Sequence, residues 1–140
     1  MNEGKLHFSI DRTTGVPPYL QIVEQAIEAL HIGKIVLGDH LPSVSEVVRV
    51  AAINANTVMK AYRELEYAGI AKALQGVGTV IVGLPQGANP ELFEAYRQRI
   101  ESLLLQGRQD GLSWETLSHL ANSTIRYSKA KEAVNDDNSY

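Results

Sequence analysis

Apolar residues recur at helical spacing in five stretches and alternate in one. Tyr19, Ile22, Val23, Ala26, Ile27 and Leu30 fall three and four apart, with Gln21, Glu24, Gln25 and Glu28 between them. That pattern predicts a core-facing helix, opened by Pro17-Pro18 and stopped by Gly33. Val44, Val47, Val48 and Ala51 form a stripe over a second, short helix. Ser43 stands at its N-cap position and Glu46 three residues later, the spacing of a capping box. Its many β-branched residues lower helix propensity, so it needs packing to hold it. After the turn 53–56, Val58, Ala61, Tyr62 and Leu65 predict a third helix with Asn54 as its cap and Gly69 beyond its end. Its opposite face carries Asn56, Thr57, Lys60, Arg63 and Tyr67.

Residues 70–74 and 79–82 read as two short strands joined by the tip Gln75-Gly76-Val77-Gly78. Upstream, residues 35–40 read as a connector with a turn at Gly38-Asp39. Residues 1–16 read as an N-terminal arm, with Phe8 and Ile10 alternating about Ser9. Two prolines and a glycine mark residues 84–90 as a linker. Beyond it, Leu92, Phe93, Tyr96, Ile100, Leu103 and Leu104 predict an amphipathic helix. A turn at 107–111 follows, then a last helix capped by Ser113 with Trp114, Leu117, Leu120, Ala121, Thr124 and Ile125 on its apolar side. The helical region spans 91–134, and residues 135–140 read as a disordered polar tail. Helix, tight polar turn, helix and glycine-tipped hairpin, in that order over residues 17–83, is the order of a winged helix-turn-helix. The fold class is thus mainly α with a small β-wing, followed by a two-helix hairpin. Two helices alone bury little surface, so the second pair's apolar stripe, Leu92, Phe93, Tyr96, Ile100, Leu103, Leu104, Trp114, Leu117, Leu120 and Ile125, is expected to form a dimer interface.

Composition narrows the chemistry. There is no cysteine, hence no disulfide framework and no thiolate metal site. His7, His31, His40 and His119 are scattered without ligand spacing, and no nucleophile elbow, P-loop or dinucleotide fingerprint occurs. No cofactor, metal or enzymatic activity is expected. No apolar run approaches a membrane span and the first residues lack a signal-peptide pattern, so a cytoplasmic protein is expected. The net charge is −3, and only residues 43–82 are net positive, with four basic and three acidic side chains. Any DNA binding therefore rests on placed contacts rather than on a broad positive field.

A helix-turn-helix lays its second helix in the DNA major groove, N-terminus first. Asn56 can pair bidentately with adenine, and Thr57 can donate to a base or a phosphate. Ser43 sits where the N–H groups of a helix start can hold a phosphate. Lys60 and Arg63 lie further along the same face, within reach of the backbone. Gly76 and Gly78 allow a hairpin tip to approach the sugar-phosphate edge. Taken singly, Asn54, Asn56 and Thr57 serve equally well as helix caps, and Lys60 and Arg63 as a solvated face.

The run Leu41-Pro42-Ser43-Val44, the start Asn56-Thr57-Val58, the body Ala61-Tyr62-Arg63-Glu64-Leu65-Glu66 and the tip Gly76-Val77-Gly78-Thr79 resemble the GntR family of bacterial transcription regulators. Pro18-Tyr19-Leu20-Gln21-Ile22 resembles that family's opening helix, and the short helical C-terminal part resembles its YtrA-like branch. The resemblance implies a homodimer formed through the C-terminal helices, binding double-stranded DNA at a palindromic operator, and acting as a repressor of a nearby operon, often one for a transporter. It places DNA contacts at Ser43, Ser45, Asn54, Asn56, Thr57, Lys60, Arg63, Gln75, Gly76 and Gly78. Three expected cations are absent: Ser45, Met59 and Gln75 stand at positions that are often basic in the family. Weaker binding, an altered operator, or transfer of the contacts to Arg49, Lys60, Arg63 and Lys72 all accommodate this. So does the alternative function, a winged-helix protein-interaction module with weak or lost DNA binding.

Overall fold

The computed structural model describes residues 6–138. Its element order is α1 (Pro18–His31), α2 (Val44–Ala51), α3 (Ala55–Tyr67), β1 (Ala71–Leu74), β2 (Gly78–Ile81), α4 (Pro90–Gln109) and α5 (Trp114–Asp137). Two compact units divide the chain, one ending at Glu94 and the other beginning at Ala95.

In the first unit α1 and α2 both pack on α3, and α3 packs on β1. Ile22, Ile35, Val58, Leu65 and Ile81 are fully enclosed there. Each such aliphatic side chain contributes about 1.5–3 kcal/mol relative to an exposed one. The eight-residue α2 is too short to persist alone; Val47 holds it in this core. The strands pair antiparallel with Ala71 opposite Ile81 and Leu74 opposite Gly78.

Two features were not apparent in the sequence. The connector 38–41 joins the sheet: His40 bridges Val80, the Leu41 N–H donates to the Thr79 carbonyl (2.9 Å) and the Ile81 N–H to the Asp39 carbonyl (2.8 Å). The arm is also part of the core, with Leu6 and Phe8 buried in it. Its backbone is held by α1 side chains. The Gln25 amide bonds both the N–H and the carbonyl of Ser9, and Gln21 accepts from the Asp11 N–H while donating to the Asp11 and Val16 carbonyls. Residues 1–5 of the expected arm lie outside the described residues.

Three of the helix ends share one device. After α1, α3 and α4 the chain turns through Gly33, Gly69 and Gly111, each in the left-handed region. In each case the following N–H reaches back to the carbonyl three positions inside the helix end, as Ile70 does to Leu65. After α2 the left-handed residue is Ala52 (φ 54°, ψ 49°), the sole non-glycine with positive φ among the described residues. Gly83 is required for a different reason: a Cβ there would lie 2.2 Å from the Gly69 carbonyl oxygen.

The second unit is a helical hairpin. Ser113 caps α5 by accepting from the Thr116 N–H (3.1 Å). Gly107 lets Leu117 approach α4, and Leu117 is the buried apolar residue of this unit. Residues 135–137, read from sequence as a disordered tail, continue α5, and Asn138 is its C-cap; residues 139 and 140 lie outside the described residues. Among the described residues no helix is long and apolar enough to cross a membrane.

Candidate nucleic-acid interface

The interface is built around α3. Val58, Ala61, Tyr62 and Leu65 turn inward and are buried. The 3.6-residue period then sends Asn56, Met59, Lys60 and Arg63 to the outer face, where all four are exposed, with Thr57 half-buried at its edge. Asn54 caps the helix: its Oδ1 accepts the Asn56 N–H at 2.7 Å. Ser43 does the same for α2, accepting the Glu46 N–H at 3.2 Å, and its hydroxyl lies 3.3 Å from that of Ser45. These two predicted contact residues therefore spend their side-chain oxygens on the protein's own backbone. That use fixes the two helix starts, whose N–H groups carry the positive end of the helix dipole.

Tyr62 sets the angle between the helices. Its hydroxyl donates to the Pro42 carbonyl, just before the α2 cap. Burial, and secondarily the negative charge of Glu46, push its pKa up, so it remains a neutral donor. Lys60 is not free in solvent: its Nζ lies 4.0 Å from the centroid of the Tyr19 ring on α1. This cation–π contact limits the reach of the ammonium and aims it along the α1 side of α3. Arg63 is exposed and donates weakly from Nε to the Met59 carbonyl (3.4 Å).

The wing tip is exposed from Ala73 through Gly78. Gly76 and Gly78 have φ of 74° and 113°, so both hold conformations the hairpin requires. Gln75 stands beside them. The structure thus sets Ser43, Ser45, Asn54, Asn56 and Thr57 at two helix starts, Lys60 and Arg63 further along α3, and Gln75, Gly76 and Gly78 on the wing. Arg49, in the last turn of α2, and Lys72, on β1, are exposed as well.

Sequence reasoning missed Arg12. Its Nη2 donates to the Ala52 carbonyl at 2.8 Å, in the turn between α2 and α3. The arm turns to deliver it: the Asp11 carboxylate accepts both the N–H and the hydroxyl of Thr13. Those bonds hold the Asp11 carboxyl below its usual pKa, the hydroxyl contributing most. No local sequence signal marks this contact, because its two partners lie 40 residues apart.

In the second unit, Tyr96, Ile100, Leu103, Trp114, Leu120 and Ile125 are each more than half exposed, and Leu104 is half-buried. Leu117, expected at a dimer interface, is taken up against Gly107 inside its own chain. In the first unit Leu92 is exposed, while Phe93 stacks on His31, ring centroids 5.2 Å apart. Among the described residues no three His, Asp or Glu side chains are grouped to hold a metal.

The model for bacterial regulatory proteins of the gntR family matches residues 18–81, from the start of α1 to the end of the wing. The HTH-type transcriptional repressor YtrA of Bacillus subtilis (strain 168) is 36% identical over 112 residues, 77% of this chain and 84% of that protein.

The chain belongs to the GntR family.

Solved structures extend the likeness through the helical part. A transcriptional antiterminator from Listeria monocytogenes EGD-e superposes with a TM-score of 0.55 at 27% identity, covering 86% of this chain and 91% of that one. YtrA from Sulfolobus acidocaldarius, described as a GntR-family transcription factor, gives 0.52 at 28%, covering 69% and 99%. These relatives support the YtrA-like branch of the GntR family. The protein is accordingly a winged helix-turn-helix, DNA-binding transcription regulator and not an enzyme.

Proposed function

We propose that this GntR-family protein is a cytoplasmic homodimeric repressor that reads a palindromic operator near its own gene, in an operon such as one for a transporter. The observation that carries the reading is the outer face of α3. Asn56, Lys60 and Arg63 stand clear of the core, with Thr57 at its edge, at the N-terminal end and along one side of a helix whose entry angle is fixed by Asn54, Ser43 and Tyr62. In the complex Asn56 reads a base edge, Thr57 a base or phosphate, and Lys60 and Arg63 the backbone. Ser43 and Ser45 sit at the phosphate that meets α2, and Gln75, Gly76 and Gly78 at the sugar-phosphate edge.

The missing cations at Ser45, Met59 and Gln75 are compensated by Lys60, Arg63, Arg49 and Lys72, all exposed around α3. The apolar stripe left exposed on the helical hairpin supplies a reason to pair: Tyr96, Ile100, Leu103, Trp114, Leu120 and Ile125 are unburied by the chain itself. Pairing sets two α3 helices roughly one DNA turn, about 34 Å, apart. A regulatory signal acts by changing that spacing.

The test is fluorescence anisotropy against the protein's own promoter region at two salt concentrations. A Thr57→Ala/Lys60→Ala double variant is expected to bind at least roughly tenfold more weakly, from lost base and phosphate contacts. Equal binding by both proteins would remove the contact assignment. Absence of salt-dependent affinity in the unaltered protein would remove DNA binding itself.

A further inference from the structure

We propose that Arg12 is a positioning residue for DNA recognition, a clamp through which the N-terminal arm fixes the turn that launches α3. The inference rests on the DNA-binding reading above and deepens it. Ala52 occupies the left-handed region, where its Cβ crowds the following carbonyl and where the ends of α1, α3 and α4 employ glycine. The direction of the Ala52 carbonyl is set by its ψ, and the same angle sets the direction in which Ile53 and Asn54 leave α2. A guanidinium that bonds that carbonyl at 2.8 Å therefore holds the entry of α3. It also places a cation at the C-terminal end of α2, where the helix dipole favours one.

The clamp is itself braced. Gln21 grips the backbone on both sides of Arg12, at Asp11 and at Val16, and Asp11 with Thr13 forms the turn that points Arg12 across 40 residues of sequence to Ala52. Phe8 and Leu6, buried in the core, anchor the arm upstream. An arm so fixed makes residues 6–16 part of the DNA-reading head, although none of them lies on α3.

The experiment compares the full-length protein with Arg12→Ala, Ala52→Gly and the double variant. It uses amide hydrogen exchange, thermal melting, and anisotropy on promoter DNA across a salt series. Arg12 is exposed, so its removal leaves the core in place, and melting checks this. In Arg12→Ala, exchange at the Ala52 and Asn56 amides is expected to rise roughly tenfold, the worth of one charge-assisted hydrogen bond, and the affinity of a dimer that loses two to fall at least roughly tenfold. The slope of log K against log salt stays as in the unaltered protein. Ala52→Gly in the Arg12→Ala background recovers most of the affinity, because glycine adopts the left-handed turn without help.

Unchanged exchange would overturn the clamp. Changed exchange with unchanged affinity would overturn its role in recognition. A salt slope flattened by about 1.8, two phosphate contacts per dimer at about 0.9 each, would make Arg12 a direct phosphate ligand and overturn positioning. If the unaltered protein bound no DNA, the operator reading would fail, and the exchange data alone would still decide whether the clamp exists.

Discussion

The Tyr62 hydroxyl donates to the Pro42 carbonyl, 20 residues earlier, and so ties α3 to the residue preceding the α2 cap. Both ends of the helix-turn-helix are thereby pinned: the turn by Arg12, the open end by Tyr62. Tyr62→Phe keeps the ring in the core and removes only the bond. Stability is expected to fall by about 1 kcal/mol, read as a lower urea midpoint at unchanged m value.

The same residue makes stability depend on alkaline pH. Its folded pKa is raised, so the native state holds the phenolic proton more tightly than the unfolded chain does. The contribution is complete below the unfolded tyrosine pKa of about 10 and is lost as pH rises beyond it. Melting temperatures measured from pH 8 to 11 should decline above pH 10, and Tyr62→Phe should show a shallower decline. Parallel curves would mean that Tyr62 titrates equally in both states.

Two glycines on neighbouring segments should respond differently to alanine. Gly69 needs its left-handed φ of 76° but has open space beside it, so Gly69→Ala is expected to cost about 1–2 kcal/mol. Gly83 needs no unusual φ, yet its Cβ would strike the Gly69 carbonyl backbone at 2.2 Å. Relief requires the α3–β1 junction to part from the strand exit, so Gly83→Ala is expected to cost about 2–3 kcal/mol. Chemical denaturation of the two variants should rank them in that order.

The helical hairpin offers a comparison between assembly and folding. Leu103 is 72% exposed and Leu117 is 6% exposed. Leu103→Glu should leave the helix content of the chain unchanged and shift sedimentation from dimer to monomer. Leu117→Ala should instead lower the melting temperature, by a loss of about 2–4 kcal/mol for a buried leucine. Monomeric sedimentation of the unaltered protein would remove the dimer proposal.

Much of the head is legible in the sequence because its signals are local. The apolar period of α1 and α3, the caps at Ser43 and Asn54, and glycine beyond α1 and α3 each lie within a few residues of the structure they specify. What escaped is specified across distance or by an exception. Gln21 and Gln25 look like solvated helix positions, yet their amides bond the arm, since an uncharged fork can satisfy a passing backbone. The bridge of His40 to Val80 involves too few residues to show alternation. Ala52 carries no hint of positive φ, because the residue that stabilises it lies far upstream. Asn135, Asp136 and Asp137 read as a tail because Asn and Asp are weak helix formers, yet they continue a 24-residue helix already propagated from Trp114. The candidate contact residues were legible as positions; that Ser43 and Asn54 are engaged as caps, and Lys60 by Tyr19, required coordinates.

The bond from Arg12 to Ala52 also divides the arm's contacts by the length of chain they close. Gln21 and Gln25 meet the arm across only 10 and 16 residues. The guanidinium instead closes a loop of 40 residues, and longer loops cost more entropy to close. The turn that leads into α3 is thus held by the contact whose closure costs most, and loosening the arm should be felt there first.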